Sequence, residues 1–175
     1  TISQPYIVAL MAAALQARLT DRVLEIGTGS GYAAAILSRI AAHVYSVERH
    51  PELAESARRK LAELGFENVS ILHGDGTLGW PEHAPYDAIV VAAGGPRVPE
   101  ALIEQLAPGG RLVIPVGEGR SLQELIRVTR THTGALQRES LGDVRFVPLI
   151  GVQGWRGDEK ENAWSGRPAR TPGRP

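Results

Sequence analysis

Three closely spaced glycines give the strongest chemical signal in the chain. Gly27, Gly29 and Gly31 directly follow the short apolar run Arg22–Ile26, and apolar residues at helical spacing resume from Ala33. This order predicts a strand, a glycine turn and a helix, and open α/β sheets bind ligands at the carboxyl ends of their strands. Glycine also lets the backbone pass close to a ligand. The glycines therefore predict a ligand site, the alternative being a glycine-rich connector that binds nothing.

The residues around the glycines distinguish between two ligands. The dinucleotide fingerprint is G-x-G-x-x-G, whereas this chain reads G-x-G-x-G and continues with Tyr32. Glu25 precedes the glycines, and its carboxylate suits a ligand with an α-ammonium group, which S-adenosylmethionine has and NAD lacks. The sequence therefore favours S-adenosyl-L-methionine, with NAD as the competing ligand on the same kind of fold.

Two further acidic residues follow strands at the same predicted sheet edge. Glu48 ends a predicted strand at 43–48, where a carboxylate can accept hydrogen bonds from both ribose hydroxyls. Its alternative role, compatible with the first, is a favourable acid beside the helix that begins at Pro51. Asp75 lies between two glycines after the next strand and could accept from the adenine amine, although alone this pattern indicates only a turn. Together the three acids and the glycines predict one pocket.

Strands and helices alternate over most of the chain. This alternation predicts a doubly wound, mostly parallel α/β sheet of the Rossmann-like kind. After position 123 two apolar stretches flank a turn at Thr133-Gly134, which predicts a final antiparallel strand pair. The predicted helices cover Pro5 to about 19–21, the residues after Tyr32, 51–64 and 99–106, and the predicted strands cover 22–26, 43–48, 68–73, 86–92 and 111–116.

The composition excludes several classes of protein. The 19 basic and 19 acidic side chains cancel without forming a long run of one sign, so we expect neither nucleic acid nor a membrane surface as partner. The chain has no cysteine, which excludes disulfides and cysteine nucleophiles and leads us to expect a cytoplasmic location. The five histidines lack metal-ligand spacing, and we expect no metal.

The two ends of the chain differ from the rest. The sequence starts at Thr1, without Met and directly at a dense motif, so we expect one folded domain over 1–156 that lacks an N-terminal segment. Residues 157–175 are rich in Gly, Pro and Arg, a composition that buries too little apolar surface to offset the entropy of ordering. We therefore expect a flexible tail.

Six sequence motifs resemble, in order, those of the protein-L-isoaspartate O-methyltransferases. The resemblance covers most of residues 1–155. Many methyltransferases share the glycine, acidic and GDG motifs, whereas TISQP at 1–5 together with VRFVPL is specific to this family. The six motifs are VLEIGTGSGY at 23–32, SVER at 46–49, HGDG at 73–76, PYDAIVVAA at 85–93, PGGRLVIPVG at 108–117 and VRFVPL at 144–149.

The resemblance implies an activity and a set of site residues. It implies a Rossmann-like methyltransferase fold and methyl transfer from S-adenosyl-L-methionine to the free α-carboxylate of L-isoaspartyl residues. The resulting methyl ester leads to a succinimide and starts the repair of damaged proteins and peptides, which would be the partners of a monomer. Ser3 matches the active-site serine of the family, and Ser3, Val147 and Pro148 are the implied substrate contacts. The implied cofactor contacts are Thr1, Ile2, Glu25, Gly27, Thr28, Gly29, Gly31, Glu48, Arg49, Asp75 and Gly76.

The implied reaction needs no catalytic base. A carboxylate with a pKa of ~3.9 is already ionised at neutral pH, so alignment and removal of water would supply the catalysis. Ser3 would then orient the substrate carboxylate, while its alternative role is to cap the helix that begins near Pro5. Two other functions stay open: methyl transfer to a different acceptor, and a catalytically incomplete domain that only binds the cofactor.

Overall fold

A single seven-stranded sheet carries the fold. The computed structural model describes residues 3–119 and 122–157. Thr1, Ile2 and almost all of the predicted tail lie outside the described residues. The strands are β1 (Arg22–Ile26), β2 (His43–Glu48), β3 (Val69–His73), β4 (Tyr86–Val91), β5 (Leu106–Val116), β6 (Gln123–Arg130) and β7 (Leu136–Val144), and the helices are α1 (Pro5–Leu15), α2 (Tyr32–Leu37), α3 (Pro51–Glu63) and α4 (Glu100–Glu104).

The strand order explains how distant motifs meet. The order across the sheet is β3-β2-β1-β4-β5-β6-β7. Neighbouring strands from β3 to β5 run parallel, whereas β6 is antiparallel to β5 and β7 is antiparallel to β6. The predicted doubly wound sheet with a final antiparallel pair is thus confirmed. The loops after β1, β2, β3 and β4 all emerge at one edge, because parallel strands share the direction of their carboxyl ends.

The sheet is covered on both faces, and β1 shows how its sequence achieves this. Val23 packs with Met11 and Leu15 in the core on the α1 side. Leu24 and Ile26 point to the opposite core, as the alternation of side chains along a strand requires. Burying a large aliphatic side chain contributes about 1.5–3 kcal/mol. The ends of the central strands are therefore held firmly, and so are the loops that follow them.

Helix α1 is shorter than the apolar spacing predicts. It ends at Leu15 because Gln16 adopts a left-handed conformation with φ of 49°. The Arg111 guanidinium donates to the carbonyl oxygens of Leu15 and Gln16, each at 2.7 Å. It also forms a 3.1 Å ion pair with Asp21. The Arg111 side chain thus provides hydrogen-bond donors for the carbonyl oxygens at the end of α1. The predicted continuation of this helix to about 19–21 is wrong.

The region around β5 also differs from the prediction. The predicted turn at 108–110 lies inside β5 as an irregularity: Tyr86 pairs with Leu106, and Ala88 already pairs with Arg111. Gly109 takes a φ of 79° there, which lets the extra residues bulge without ending the strand. Helix α4 spans only Glu100–Glu104, shorter than predicted. In the part of the chain that the structure describes, no helix has the length and apolar character needed to span a membrane.

Candidate active site

One large cavity opens at the carboxyl edge of the central strands. Its volume is about 800 Å³. One wall is formed by the glycine turn after β1 and by the end of β2, and the other by residues 143–150 and the start of α1. Among the predicted site residues, those that line the cavity are Ser3, Gly27, Thr28, Gly29, Glu48, Arg49, Gly76, Val147 and Pro148.

The glycine turn is held in a conformation that other residues rarely adopt. Gly27, Gly29 and Gly31 have φ angles of 95°, 53° and 85°, all in the left-handed region that favours glycine. The Gly27 N–H donates to the carbonyl oxygen of Val47 at 2.8 Å and ties the end of β1 to β2. A Cβ on Gly31 would lie 3.3 Å from Leu61 Cδ1. Gly31 therefore lies against α3 and does not line the cavity.

Glu48 connects the loop after β1 to the loop after β2. Its carboxylate is 4% exposed. Oε2 accepts from the Gly29 N–H and Oε1 from the His50 N–H, both at 2.9 Å. A carboxylate has about four acceptor positions, so each oxygen can still accept one hydroxyl. Both sequence-based roles are thus compatible with the structure: Glu48 supports the start of α3 and presents acceptors to the cavity.

Glu25 lies one layer behind the cavity wall. It is 1% exposed, and its Oε2 accepts from the Ser46 hydroxyl at 2.5 Å. That hydroxyl in turn contacts Thr28 Oγ1 at 2.5 Å, whereas the buried Oε1 has no partner within the described residues. Burial raises the pKa of Glu25 to about 8, against the opposing effect of Ser46 and with a contribution from the negative charge of Glu48. The Ser46 and Thr28 hydroxyls thus connect the Glu25 carboxylate to the cavity wall, and the cofactor contact of Glu25 stays a prediction.

Asp75 reaches the predicted sheet edge but faces another part of the molecule. Its Oδ1 accepts from the N–H and the hydroxyl of Thr77, at 2.9 and 2.7 Å. Oδ2 accepts from the Val152 N–H at 2.8 Å. The neighbouring Gly76 does line the cavity. A Cβ atom on Gly76 would overlap the side chain of Ile26, so the backbone of this loop packs directly on β1. The structure thus brings Gly76 to the wall, and the adenine contact of Asp75 stays a prediction.

A second side of the cavity joins the start of the described chain to residues 143–150. The N-cap position of α1 belongs to Gln4, whose side chain makes no capping bond, so Ser3 lies one residue too early for its alternative role as the cap. Gly94, after β4, donates its N–H to the Val147 oxygen and accepts from the Leu149 N–H, both at 2.8 Å. These bonds hold Val147 and Pro148 beside the loop after β4, where both residues line the cavity.

Some lining residues were not predicted from the sequence. Ile7 and Val8 reach the cavity from α1, and Leu53 reaches it from α3. Arg145 and Asp143 also line the cavity, and they bring one positive and one negative charge to the segment 143–150. The VRFVPL motif contains Arg145 and could have indicated it, whereas nothing in the local pattern distinguishes Leu53 from the other residues on its helix.

Solved structures with the same architecture define the class of protein. A proposed protein-L-isoaspartate O-methyltransferase from Plasmodium falciparum, in complex with S-adenosyl-L-homocysteine, is 27% identical, with a TM-score of 0.69 over 86% of this chain and 76% of that one. Fold and site thus define a methyltransferase of the S-adenosylmethionine-dependent class. Residues 1–154 match the family model for protein-L-isoaspartate(D-aspartate) O-methyltransferase (PCMT), and the chain belongs to this family.

Individual relatives agree with this membership. A protein-L-isoaspartate O-methyltransferase 2 from Pelobacter propionicus is 64% identical over 155 residues, which are 89% of this chain and 69% of that protein. A protein-L-isoaspartate O-methyltransferase from Rhodopseudomonas palustris is 59% identical over 173 residues, 99% of this chain and 78% of that protein. A solved protein-L-isoaspartate O-methyltransferase is 36% identical with a TM-score of 0.80; the match covers 87% of this chain but 49% of that chain. The predicted family and enzyme class are therefore confirmed.

Proposed function

We propose that the chain transfers the methyl group of S-adenosyl-L-methionine to the free α-carboxylate of L-isoaspartyl residues in damaged proteins and peptides. The methyl ester formed would give a succinimide and so begin repair. One observation carries this proposal: the glycine turn and the segment 143–150 line the same cavity. Donor and acceptor can therefore meet without an intervening wall. Membership of the family supports the same activity.

The glycine turn after β1 and the end of β2 form the wall that we assign to the methyl donor, and this donor wall fits the cofactor. When bound, S-adenosyl-L-methionine supplies an electrophilic methyl group on a sulfonium. Glu48 would accept from the two ribose hydroxyls with the acceptor positions that its backbone partners leave unused. Gly27, Gly29 and Gly76 line the cavity, and glycine lets the backbone pass close to a ligand. Glu25 would support the cofactor through the Ser46 and Thr28 hydroxyls behind that wall.

Ser3 and residues 143–150 form the wall that we assign to the methyl acceptor. This acceptor wall has to orient a nucleophile that is already charged. A carboxylate with a pKa of ~3.9 is ionised at neutral pH, so the residues of the chain need not remove a proton. The Ser3 hydroxyl would donate a hydrogen bond to the carboxylate and orient it, and the charge of Arg145 would attract it. Val147 and Phe146 add apolar surface to this wall. Catalysis then comes from alignment and from exclusion of water.

One assay tests the acceptor. The chain is incubated with methyl-labelled donor and a pair of peptides that differ only in an L-isoaspartyl or a normal aspartyl residue. We expect base-labile methyl ester on the isoaspartyl peptide alone. Equal labelling of both peptides would contradict the proposed acceptor. Binding of S-adenosyl-L-homocysteine without any transfer would instead indicate a domain that only binds the cofactor.

We further propose that residues 1–156 act as one monomeric methyltransferase domain in the cytoplasm, with isoaspartyl proteins as partners and without nucleic acid or membrane. The end of the family match at residue 154 supports the domain boundary. The balanced charge supports the lack of nucleic acid and membrane partners, and the lack of cysteine supports the cytoplasmic location. Light scattering after size-exclusion chromatography tests the oligomeric state, where a mass of two chains would contradict the monomer.

A further inference from the structure

A turn that follows the acceptor wall is bound to the loop after β3. We call residues 150–155 the 150–155 turn. Asp75 Oδ2 accepts from the Val152 N–H at 2.8 Å, and Thr77 Oγ1 accepts from the Gln153 N–H at 3.1 Å. The Thr77 hydroxyl also donates to Asp75 Oδ1 at 2.7 Å. Two linked side chains thus hold two successive amides of the turn.

The contact is too close for side chains on the turn's glycines. A Cβ on Gly151 would overlap the Asp75 carboxylate and lie 2.7 Å from Thr77 Cγ2. A Cβ on Gly154 would lie 3.1 Å from Thr77 Cγ2 and would overlap the carbonyl oxygen of Leu149. Thr77 is fully buried at 0% exposure. The 150–155 turn therefore packs directly on Thr77.

The turn is connected by hydrogen bonds to the wall that we assign to the acceptor. The Trp155 N–H donates to the Leu149 oxygen at 2.8 Å, and the Trp155 indole donates to the Gly94 oxygen at 3.0 Å. Gly94 is the residue that holds Val147 and Leu149 in place. A shift of the turn would therefore move Val147 and its neighbours.

We propose that Thr77, together with Asp75, is a positioning residue for the isoaspartyl substrate, an inference that rests on the proposed function. Thr77 does not line the cavity, so it contacts neither the substrate nor the reacting methyl group. It holds the 150–155 turn, and the turn holds the acceptor wall.

The substitution Thr77→Val tests this role, because valine keeps the shape of threonine but lacks the hydroxyl. It removes the bond to Asp75 and the acceptor for Gln153. We expect KM for an isoaspartyl peptide to rise about 5- to 10-fold, the effect of losing one or two hydrogen bonds. We expect kcat and the Kd of S-adenosyl-L-homocysteine to stay within about twofold.

Two variants serve as controls and one as a second test. Thr77→Ser keeps the hydroxyl and should restore KM, whereas Thr133→Val removes an exposed hydroxyl of the β6–β7 turn and should change nothing. Gly151→Ala pushes the turn away while Thr77 is intact, and it should raise KM in the same way. It therefore tests the proposal even where Thr77→Val does not fold.

Hydrogen exchange gives a readout that needs no substrate. The amides of Val152 and Gln153 should exchange faster in Thr77→Val than in the unmodified chain. Unchanged exchange, an unchanged KM, or a loss of cofactor affinity that accounts for the whole effect would overturn the proposal. So would equal defects in Thr77→Ser and Thr77→Val. An unmodified chain that fails to methylate isoaspartyl peptides would contradict the proposed function, and exchange would still decide whether Thr77 holds the turn.

Discussion

The two walls of the cavity are built in different ways. The donor wall consists of loops that directly follow β1 and β2, and Glu48 binds both of them through Gly29 and His50. The acceptor wall combines Ser3 with residues 143–150, which lie at opposite ends of the described chain. Parallel strands assemble the first wall by themselves, whereas the second depends on contacts between distant segments. Substitutions should therefore separate cofactor affinity from the use of the acceptor.

The largest effect should come from the donor wall. Glu48→Ala leaves two backbone amides without their acceptor and removes the groups that would bind the ribose. Each lost bond to a buried partner costs about 1–3 kcal/mol, so we expect S-adenosyl-L-homocysteine to bind about 100-fold more weakly. Calorimetric titration measures this change. Glu52→Ala, an exposed acid in the first turn of α3, is the control, and equal affinities of the two variants would contradict the assignment.

The buried acid behind the donor wall should make stability depend on pH. The pKa of Glu25 is raised from 4.5 to about 8 in the folded chain. Between these values the folded state binds more protons than the unfolded state, so rising pH lowers the free energy of unfolding. Each pKa unit corresponds to about 1.4 kcal/mol, which gives an effect on the order of a few kcal/mol.

Glu25→Gln tests this dependence, because the amide keeps the contact with Ser46 and does not ionise. Urea unfolding at pH 5, 7 and 8.5 should show a decline in the unmodified chain and a flatter profile in the variant. Parallel profiles would show that Glu25 does not bind the additional proton.

On the acceptor wall, Ser3→Ala should reduce kcat/KM for an isoaspartyl peptide about tenfold or more, since a hydrogen bond to a charged group contributes about 1.5–3 kcal/mol. The Kd of S-adenosyl-L-homocysteine should stay nearly unchanged. Ser3→Ala would thus impair the use of the peptide and spare cofactor binding, whereas Glu48→Ala would weaken cofactor binding itself. Unchanged turnover of the peptide would refute the role of Ser3.

The smallest effect should come from Val147→Ala. Val147 lines the cavity but is 52% exposed, so its truncation removes only part of an apolar contact. We expect KM for the peptide to rise about two- to threefold, the effect of losing less than about 1 kcal/mol. Val152→Ala is a matched control, because Val152 is 81% exposed and does not line the cavity. A loss of cofactor affinity in Val147→Ala would contradict the separation of the two walls.

The sequence by itself determined which strand ends meet at the cavity. Gly27, Gly29 and Glu48 line it because each lies at the end of an apolar strand, and the carboxyl ends of parallel strands share one edge. Their contacts with the cofactor stay a prediction. The change of pattern after position 123 likewise indicated the antiparallel pair, since strand alternation and turn residues are local signals. Motif resemblance was needed to indicate Ser3 and Val147.

Tertiary structure alone decided where three side chains act. The Arg111 guanidinium donates to the carbonyl oxygen of Leu15 at the end of α1, although the two residues lie 96 positions apart in the sequence. The Asp75 carboxylate binds Val152 from 77 residues away. Burial raises the pKa of Glu25, and the hydrogen bond from Ser46 opposes that shift. Local patterns specify strands, helices and the turns between them, but a hydrogen bond or a desolvated charge depends on residues that only the folded sheet brings together.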